Sequence, residues 1–136
     1  MHARKILIIE DSHFVCTVLE DGLTKAGFTV AIVRDGKEGL TRARKESPAL
    51  IILDLILPGI PGEEICRQLK KNERTEKIPL IMLTGKTGDA DRVLGRVLGA
   101  DAYIPKPFDL EHLLDTVDLL LSTKDVHPNG TMPPGP

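Results

Sequence analysis

The sequence predicts one α/β domain, in which helices cover both faces of a parallel β-sheet. Five short aliphatic segments alternate along the chain with five segments of helical periodicity, which is the order that βαβ units require. Two of the aliphatic segments, Lys5–Ile9 and Leu50–Leu53, are continuously apolar rather than alternating, as in strands buried on both faces. We therefore expect a doubly wound fold with these two strands in the interior.

The predicted strands are short apolar runs bounded by polar or turn-forming residues. They are Lys5–Ile9, Thr29–Val33, Leu50–Leu53, Leu80–Leu83 and, with the weakest pattern, Ala102–Ile104.

The predicted helices lie between and after these strands. The first carries apolar residues at helical spacing from Val15 to Ala26 and stops at Gly27. The second ends before Ser47-Pro48, because a residue that precedes proline resists the helical conformation. The second covers Lys37–Glu46, the third opens at Pro61-Gly62, the fourth covers Asp89–Leu98 and the fifth covers Leu110–Leu121.

Length and composition exclude several classes of protein. The 136 residues suffice for one domain over residues 1–121, followed by a linker or disordered tail over 122–136 that contains four prolines and two glycines. A net charge of −2 gives no case for nucleic-acid binding, and no apolar run is long enough for a membrane helix, so we predict a cytoplasmic protein. Cys16 and Cys66 show neither metal-ligand spacing nor a disulfide framework.

Polar residues follow four of the predicted strands. Asp54 ends an otherwise aliphatic run and needs a partner, because an unpaired buried carboxylate is costly. Glu10-Asp11, Thr84 and Lys106 follow three other strands, whereas strand two contributes no comparable group. Since the carboxyl ends of parallel strands share one edge, these side chains are expected to converge there.

This set of side chains suits phosphoryl chemistry. Clustered carboxylates repel one another unless a cation lies among them, and oxygen ligands favour Mg²⁺, with Mn²⁺ the other candidate. Beside such a cation Asp54 could act as a nucleophile toward a phosphoryl group and form an aspartyl-phosphate. Thr84 and Lys106 would then stabilise the transferring oxygens.

Four ordered segments resemble the receiver domain of two-component response regulators, over roughly residues 4–121. The segments are Ile8–Ser12, Leu53–Gly59, Met82–Gly85 and Gly99–Phe108. The resemblance implies a flavodoxin-like fold with five helices and a five-stranded parallel sheet of order 2-1-3-4-5, an order also found in flavodoxin.

The resemblance also assigns roles to individual residues. Asp54 would accept a phosphoryl group from the phosphohistidine of a sensor kinase, and the Lys106–Pro107 peptide would be cis. The domain would catalyse only its own phosphorylation and dephosphorylation, so it would not be an enzyme for outside substrates. The implied magnesium ligands are Glu10, Asp11, Asp54 and the Ile56 carbonyl; Thr84 and Lys106 would bind the phosphoryl group, and Thr84 with Tyr103 would form the switch.

Two surfaces are expected to contact partners. The exposed side of the first helix, with Phe108, would receive the kinase or a phosphotransfer protein. The surface around the fourth helix, fifth strand and fifth helix would control a downstream protein or effector domain, without direct nucleic-acid or membrane contact, and a phosphorylation-dependent homodimer is compatible with it. The predicted docking residues are Ser12, His13, Cys16, Glu20 and Phe108.

Three alternative functions share part of this pattern. A haloacid-dehalogenase-like phosphatase needs an acid two residues after its nucleophile, where this chain has Ile56. A flavodoxin-like electron carrier needs a first loop that cradles phosphate, whereas Glu10-Asp11 would repel phosphate without a metal. A non-phosphorylated pseudo-receiver that acts as a protein-binding module stays open. Because Ile56 offers no group to orient an attacking water, we also expect slow self-hydrolysis.

Overall fold

The computed structural model describes residues 4–85 and 99–126, which form five strands and four helices. The five predicted strands are confirmed, and β3, β4 and β5 each run one residue further, onto Asp54, Thr84 and Pro105. The helix predicted at Asp89–Leu98 lies outside the described residues. The elements are β1 (Lys5–Ile9), α1 (His13–Lys25), β2 (Thr29–Val33), α2 (Gly36–Glu46), β3 (Leu50–Asp54), α3 (Gly62–Lys71), β4 (Leu80–Thr84), β5 (Ala102–Pro105) and α4 (Leu110–Val126).

The five strands form one parallel sheet in the order β2-β1-β3-β4-β5, as predicted. The registers align the carboxyl ends of the inner strands. Ile9 lies opposite Leu53, and Asp54 lies opposite Leu83. The residues that follow β1, β3 and β4 therefore meet at one edge of the sheet.

Helices cover both faces of the sheet and create two cores. One core joins α2 and α3 to the sheet, and the other joins α1 and α4 to it. Along β1, Leu7 and Ile9 contribute to the first core, whereas Ile6 and Ile8 contribute to the second. Strands that supply both cores must be apolar throughout, which explains the continuous hydrophobic runs in the sequence.

Local signals in the sequence fix where the first two helices begin and end. Ser12 caps α1 by accepting a hydrogen bond from the Val15 N–H at 3.3 Å, and Asp35 caps α2 by accepting from the Glu38 N–H at 3.2 Å. Gly27 follows α1 with a φ of +100°, a conformation that favours glycine. The predicted stop at Gly27 is therefore confirmed.

The C-terminal helix is longer than predicted. α4 continues past Leu121 to Val126, because residues 122–126 contain no proline or glycine that would interrupt the helix. The predicted tail therefore begins inside a helix, and residues 127–136 lie outside the described part of the chain. Among the residues that the structure describes, no helix has the length and apolar character to cross a membrane.

Lys70 connects three segments at the edge of the sheet opposite the carboxyl ends. Its ammonium lies 3.2 and 2.9 Å from the carbonyl oxygens of Glu76 and Ile78, and 3.4 Å from Asp101 Oδ2. The same Asp101 oxygen accepts a hydrogen bond from the Leu80 N–H at 2.8 Å. One largely buried cation thus ties α3 to the segments that lead into β4 and β5.

Replacing Lys70 with methionine should therefore destabilise the fold. We expect a loss of about 2 kcal/mol in the free energy of unfolding, because the Asp101 carboxylate and two carbonyls lose a charged donor. The control is Lys71→Met, since Lys71 is exposed on the same helix and should change stability by less than about 0.5 kcal/mol. Urea unfolding of both variants measures the difference, and equal losses would show that Lys70 does not hold these segments together.

Candidate functional site

Four polar residues lie at the carboxyl ends of four strands. Glu10 follows β1, Asp54 ends β3 and Thr84 ends β4, and all three are buried. Lys106 follows β5, and its backbone N–H donates to the Thr84 carbonyl at 2.6 Å. The structure therefore brings together the groups that the strand-end pattern selected.

The Lys106 ammonium lies between two buried carboxylates. Its Nζ is 3.0 Å from Glu10 Oε1 and 3.4 Å from Asp54 Oδ2. This contact supplies the partner that Asp54 required in an apolar strand. Two carboxylates share one cation, however, so charge is only partly balanced.

Backbone N–H groups orient both carboxylates. Glu10 Oε2 accepts a hydrogen bond from the Ser12 N–H at 2.9 Å, and Asp54 Oδ1 accepts one from the Ile56 N–H at 3.1 Å. Each carboxylate thus has one oxygen held by its own loop and the other directed toward Lys106.

The electrostatics of Asp54 reflect this shared cation. Burial, together with the neighbouring Glu10 carboxylate, raises the pKa of Asp54 from 3.8 to about 6, while the Ile56 N–H and Lys106 oppose the rise. The mutual repulsion of carboxylates that the sequence predicted is therefore present for this pair. An added cation would relieve it.

The loop after Asp54 is closed tightly onto the strand by Gly62. The Gly62 N–H donates to the Leu55 carbonyl at 3.0 Å, and a Cβ on Gly62 would lie 2.5 Å from that same oxygen. A side chain at this position would displace the backbone next to Asp54. The close contact at the start of α3 therefore restricts the position of the backbone next to Asp54.

The magnesium prediction is only partly accounted for by this geometry. Two of its carboxylates, Glu10 and Asp54, are adjacent, but Asp11 is exposed. In residues 4–85 and 99–126 no group of three or more His, Cys, Asp or Glu side chains is close enough to hold an ion. The donor chemistry fits Mg²⁺, since these are oxygen ligands with excess negative charge. Magnesium binding stays a prediction.

The remaining predicted switch features lie around β5. Tyr103 is half-buried and packs against the core on the α2 and α3 face, and Thr84 is fully buried. The Lys106–Pro107 peptide is cis, as predicted. The switching roles of Thr84 and Tyr103 stay predictions.

One of the five predicted docking residues is not on the surface. Cys16 is buried, and its thiol donates to the Glu10 carbonyl at 3.4 Å, so its predicted exposure was wrong. It lies three residues before Leu19 and seven before Leu23, and that spacing places it on the buried face of α1. His13 and Glu20 are exposed, whereas Ser12 and Phe108 are half-buried.

Cys66 is buried beside Ile65 and Leu69, as predicted. Both cysteines are free thiols. Since α1 and α3 cover opposite faces of the sheet, a bond between the two cysteines is excluded.

The sequence analysis missed the apolar groove beside α1. A cavity of about 470 Å³ lies between this helix and the segment after β5. Phe14, at its rim, is 76% exposed. One signal was available in the sequence. Phe14 does not lie on the same face of α1 as Leu19 and Leu23, which indicates an aromatic side chain outside the core. The cavity is lined by Phe14, Val15, Val18, Lys106, Pro107, Phe108 and Leu110.

Arg34 was also missed, because strand two was expected to contribute no comparable group. It directly follows β2 at the same sheet edge. Its guanidinium Nη2 lies 2.6 Å from Nδ1 of His13, in the first turn of α1. A second cation therefore lies near the acidic turn.

Comparison with known proteins identifies the family. The profile of the response regulator receiver domain matches residues 6–118. The chain is 37% identical over 123 residues to the alkaline phosphatase synthesis transcriptional regulatory protein PhoP of Bacillus subtilis, covering 90% of this chain and 50% of the relative. It is 44% identical over 117 residues to the response regulator ArlR of Staphylococcus saprophyticus, covering 86% and 52% respectively. The chain thus spans about half the length of these relatives.

A solved structure shows the same fold. The crystal structure of a CheY-like response regulator receiver domain protein from Methanospirillum hungatei superposes with a TM-score of 0.86 at 28% identity, covering 93% of this chain and 99% of that one. The sheet order, the groups at the strand ends and the family profile agree. The chain belongs to the response regulator receiver domain family of two-component systems.

Proposed function

We propose that this domain is a phosphoacceptor, which takes a phosphoryl group onto Asp54 from a histidine kinase or a phosphotransfer protein. The observation that supports this most directly is the Asp54 carboxylate, buried at the end of β3 with one oxygen facing the Lys106 ammonium. A buried carboxylate with a raised pKa beside a fixed cation is typical of functional sites. A cytoplasmic location fits this role.

In the proposed reaction an oxygen of ionised Asp54 attacks the phosphorus of the donor. The bond from phosphorus to the donor nitrogen or oxygen breaks, and the donor leaves with that electron pair. The Ile56 N–H holds the other carboxylate oxygen in place. Lys106 balances the negative charge on the oxygens of the phosphoryl group. The Thr84 hydroxyl, at the end of the next strand, donates a hydrogen bond to the same oxygens.

Magnesium, or manganese in its place, would be held by Glu10, Asp11, Asp54 and the Ile56 carbonyl. When bound, it would supply positive charge that offsets the carboxylates and the incoming phosphoryl group. The Ile56 N–H orients the Asp54 carboxylate, and Lys106 supplies a fixed positive charge beside it. The domain acts only on itself, so its product is an altered surface rather than a released compound.

The proposal is tested by measuring the intact mass after incubation with acetyl phosphate, with and without Mg²⁺. Wild type with Mg²⁺ should gain one phosphoryl group and lose it over time. Asp54→Ala should gain none, and chelation of Mg²⁺ should prevent the gain in wild type. If wild type keeps its mass with the fold intact, the domain works as a non-phosphorylated binding module.

Ile56 should make the phosphorylated state long-lived. Its side chain is 59% exposed two residues beyond Asp54, and it has no group to orient a water molecule toward the phosphorus. Ile56→Asn should therefore shorten the lifetime about tenfold, because an amide at this position can position that water. Time courses of phosphate loss measure the lifetime, with Ile56→Val as the matched control. Loss within seconds in wild type would contradict the prediction.

Two surfaces would carry the signal in this proposal. The groove beside α1, together with exposed His13 and Glu20 elsewhere on the same helix, would receive the phosphodonor protein. The output surface would include β5 and α4, where Leu119 is 65% exposed. The helix predicted at Asp89–Leu98, which would complete that surface, lies outside the described residues. A downstream protein, an effector domain or a second copy of the chain would contact it.

A further inference from the structure

We propose that Arg34 is a further phosphodonor-binding residue, whose guanidinium attracts the negatively charged phosphoryl group of the donor toward the crevice that contains Asp54. This inference rests on the proposed function. This inference assigns a role to the residue after strand two, which was expected to contribute no comparable group at this edge of the sheet.

Arg34 is placed next to the acidic turn by the backbone. The Glu10 N–H donates to the Val33 carbonyl at 3.0 Å, so the residue after Val33 stands beside the turn that carries Glu10 and Asp11. This bond belongs to the backbone and does not depend on the identity of the Arg34 side chain. The position of Arg34 at the edge of the crevice therefore follows from the sheet.

His13 holds the guanidinium in place. Arginine has only hydrogen-bond donors, so the 2.6 Å contact requires Nδ1 of His13 to act as the acceptor and the imidazole to be neutral. The contact connects the end of β2 to the start of α1, across the acidic turn. Both side chains are exposed. Within the described residues, the imidazole accepts the one hydrogen bond found for this guanidinium, so its other N–H groups can approach a ligand from solvent.

The charges of the crevice make such a cation useful. Glu10, Asp11 and Asp54 give three formal negative charges near one positive charge, and Lys106 is already shared by Glu10 and Asp54. A bound Mg²⁺ would offset this excess, but the dianionic phosphoryl group of the donor then adds two further negative charges. A fixed, exposed cation at the mouth attracts that group before the donor reaches Asp54.

Arg34 lies at the rim of the crevice and does not contact Asp54 within the described residues. The Asp54 carboxylate is contacted by the Ile56 N–H and the Lys106 ammonium, whereas the Arg34 guanidinium contacts His13. Arg34 is therefore expected to act on the approach of the donor and to leave the nucleophile unchanged.

The test compares two variants with the same change in net charge. Arg34→Gln removes the proposed binding cation, whereas Lys25→Gln removes an exposed cation at the far end of α1, where it pairs with Asp21. The rate of phosphorylation by acetyl phosphate with Mg²⁺ is measured at low and high ionic strength. We expect Arg34→Gln to slow the reaction about threefold to tenfold at low ionic strength, with a smaller difference at high ionic strength. Lys25→Gln should match wild type.

Two further measurements test whether the Arg34 charge acts on the phosphoryl group of the donor. His13→Ala keeps the guanidinium but releases it, so an intermediate loss of rate is expected. Phosphoimidazole as donor should show the same Arg34 dependence, because both donors present a phosphoryl group. Dependence with acetyl phosphate alone would overturn the proposal, since the acetyl group would then be what Arg34 recognises.

Four other results would also overturn it. Equal slowing by Arg34→Gln and Lys25→Gln would show an effect of net charge only. A loss that is independent of ionic strength, or a lower midpoint of urea unfolding in Arg34→Gln, would show a structural role. If wild type accepts no phosphoryl group, the proposed function fails, and the role of Arg34 fails with it.

Discussion

Asp54→Asn should be more stable than wild type at neutral pH in the absence of divalent cations, by about 1–3 kcal/mol. In the folded protein, burial and the neighbouring Glu10 raise the pKa of Asp54 from 3.8 to about 6. The folded state therefore binds this proton more tightly than the unfolded state. The contribution of Asp54 to stability is most favourable below the unfolded pKa and declines as pH rises toward 6. Asparagine carries no charge to bury.

The measurement is urea unfolding of both proteins from about pH 4 to pH 7.5. The advantage of the asparagine variant should grow as pH rises to about 6 and level off above it. Asp115→Asn is the control, because Asp115 is exposed on α4 and should give a difference that hardly varies with pH. If Asp54→Asn is no more stable than wild type at neutral pH, burial and the Glu10 carboxylate do not destabilise ionised Asp54 in the folded protein.

Lys106→Met should have the opposite effect, with a loss of about 2 kcal/mol or more at neutral pH. The ammonium is the cation at 3.0 Å from Glu10 and 3.4 Å from Asp54, and its removal leaves two buried carboxylates facing each other. The loss should be smaller near pH 5, because protonation of Asp54 removes one of the two charges. Phosphorylation by acetyl phosphate should also fall about 100-fold, since Lys106 is proposed to balance charge on the transferring oxygens.

A double-mutant cycle separates the electrostatic effect from lost packing. In an Asp54→Asn background, Lys106→Met should cost clearly less stability, because only Glu10 then lacks its cation. The same cost in both backgrounds would mean that Lys106 stabilises the fold through its hydrocarbon stem, which lines the apolar cavity.

The parts of the fold that depend on hydrophobic pattern were predictable. Short apolar runs predicted all five strands, and the continuous runs of β1 and β3 reflect their place between two helical layers. The order of the strands came from the resemblance to a family, since periodicity does not specify which strands are neighbours. The end of α4 was misplaced because the prediction stopped at Leu121, the last leucine of the core. The helix extends to Val126, since residues 122–126 contain no proline or glycine.

The residues of the candidate site that are placed by the backbone of the sheet could be predicted from the sequence. Glu10, Asp54, Thr84 and Lys106 each follow or end a parallel strand, so the sheet brings them together. Contacts that depend on the conformation of long side chains were missed. The pair of Arg34 and His13 joins residues 21 positions apart, and no local pattern indicates it. Cys16 was misplaced for a different reason, because its phase on α1 relative to Leu19 was overlooked.

The measurement that tests the central claim most directly is the location of the phosphoryl group within the chain. After incubation with acetyl phosphate and Mg²⁺, the acyl phosphate is reduced with borohydride, and the peptides are mapped by mass. The account predicts that position 54 alone is converted to homoserine, and that no conversion occurs in Asp54→Asn. Conversion at another carboxylate, or none in a folded wild-type protein, would contradict the assignment of Asp54 as the phosphoacceptor.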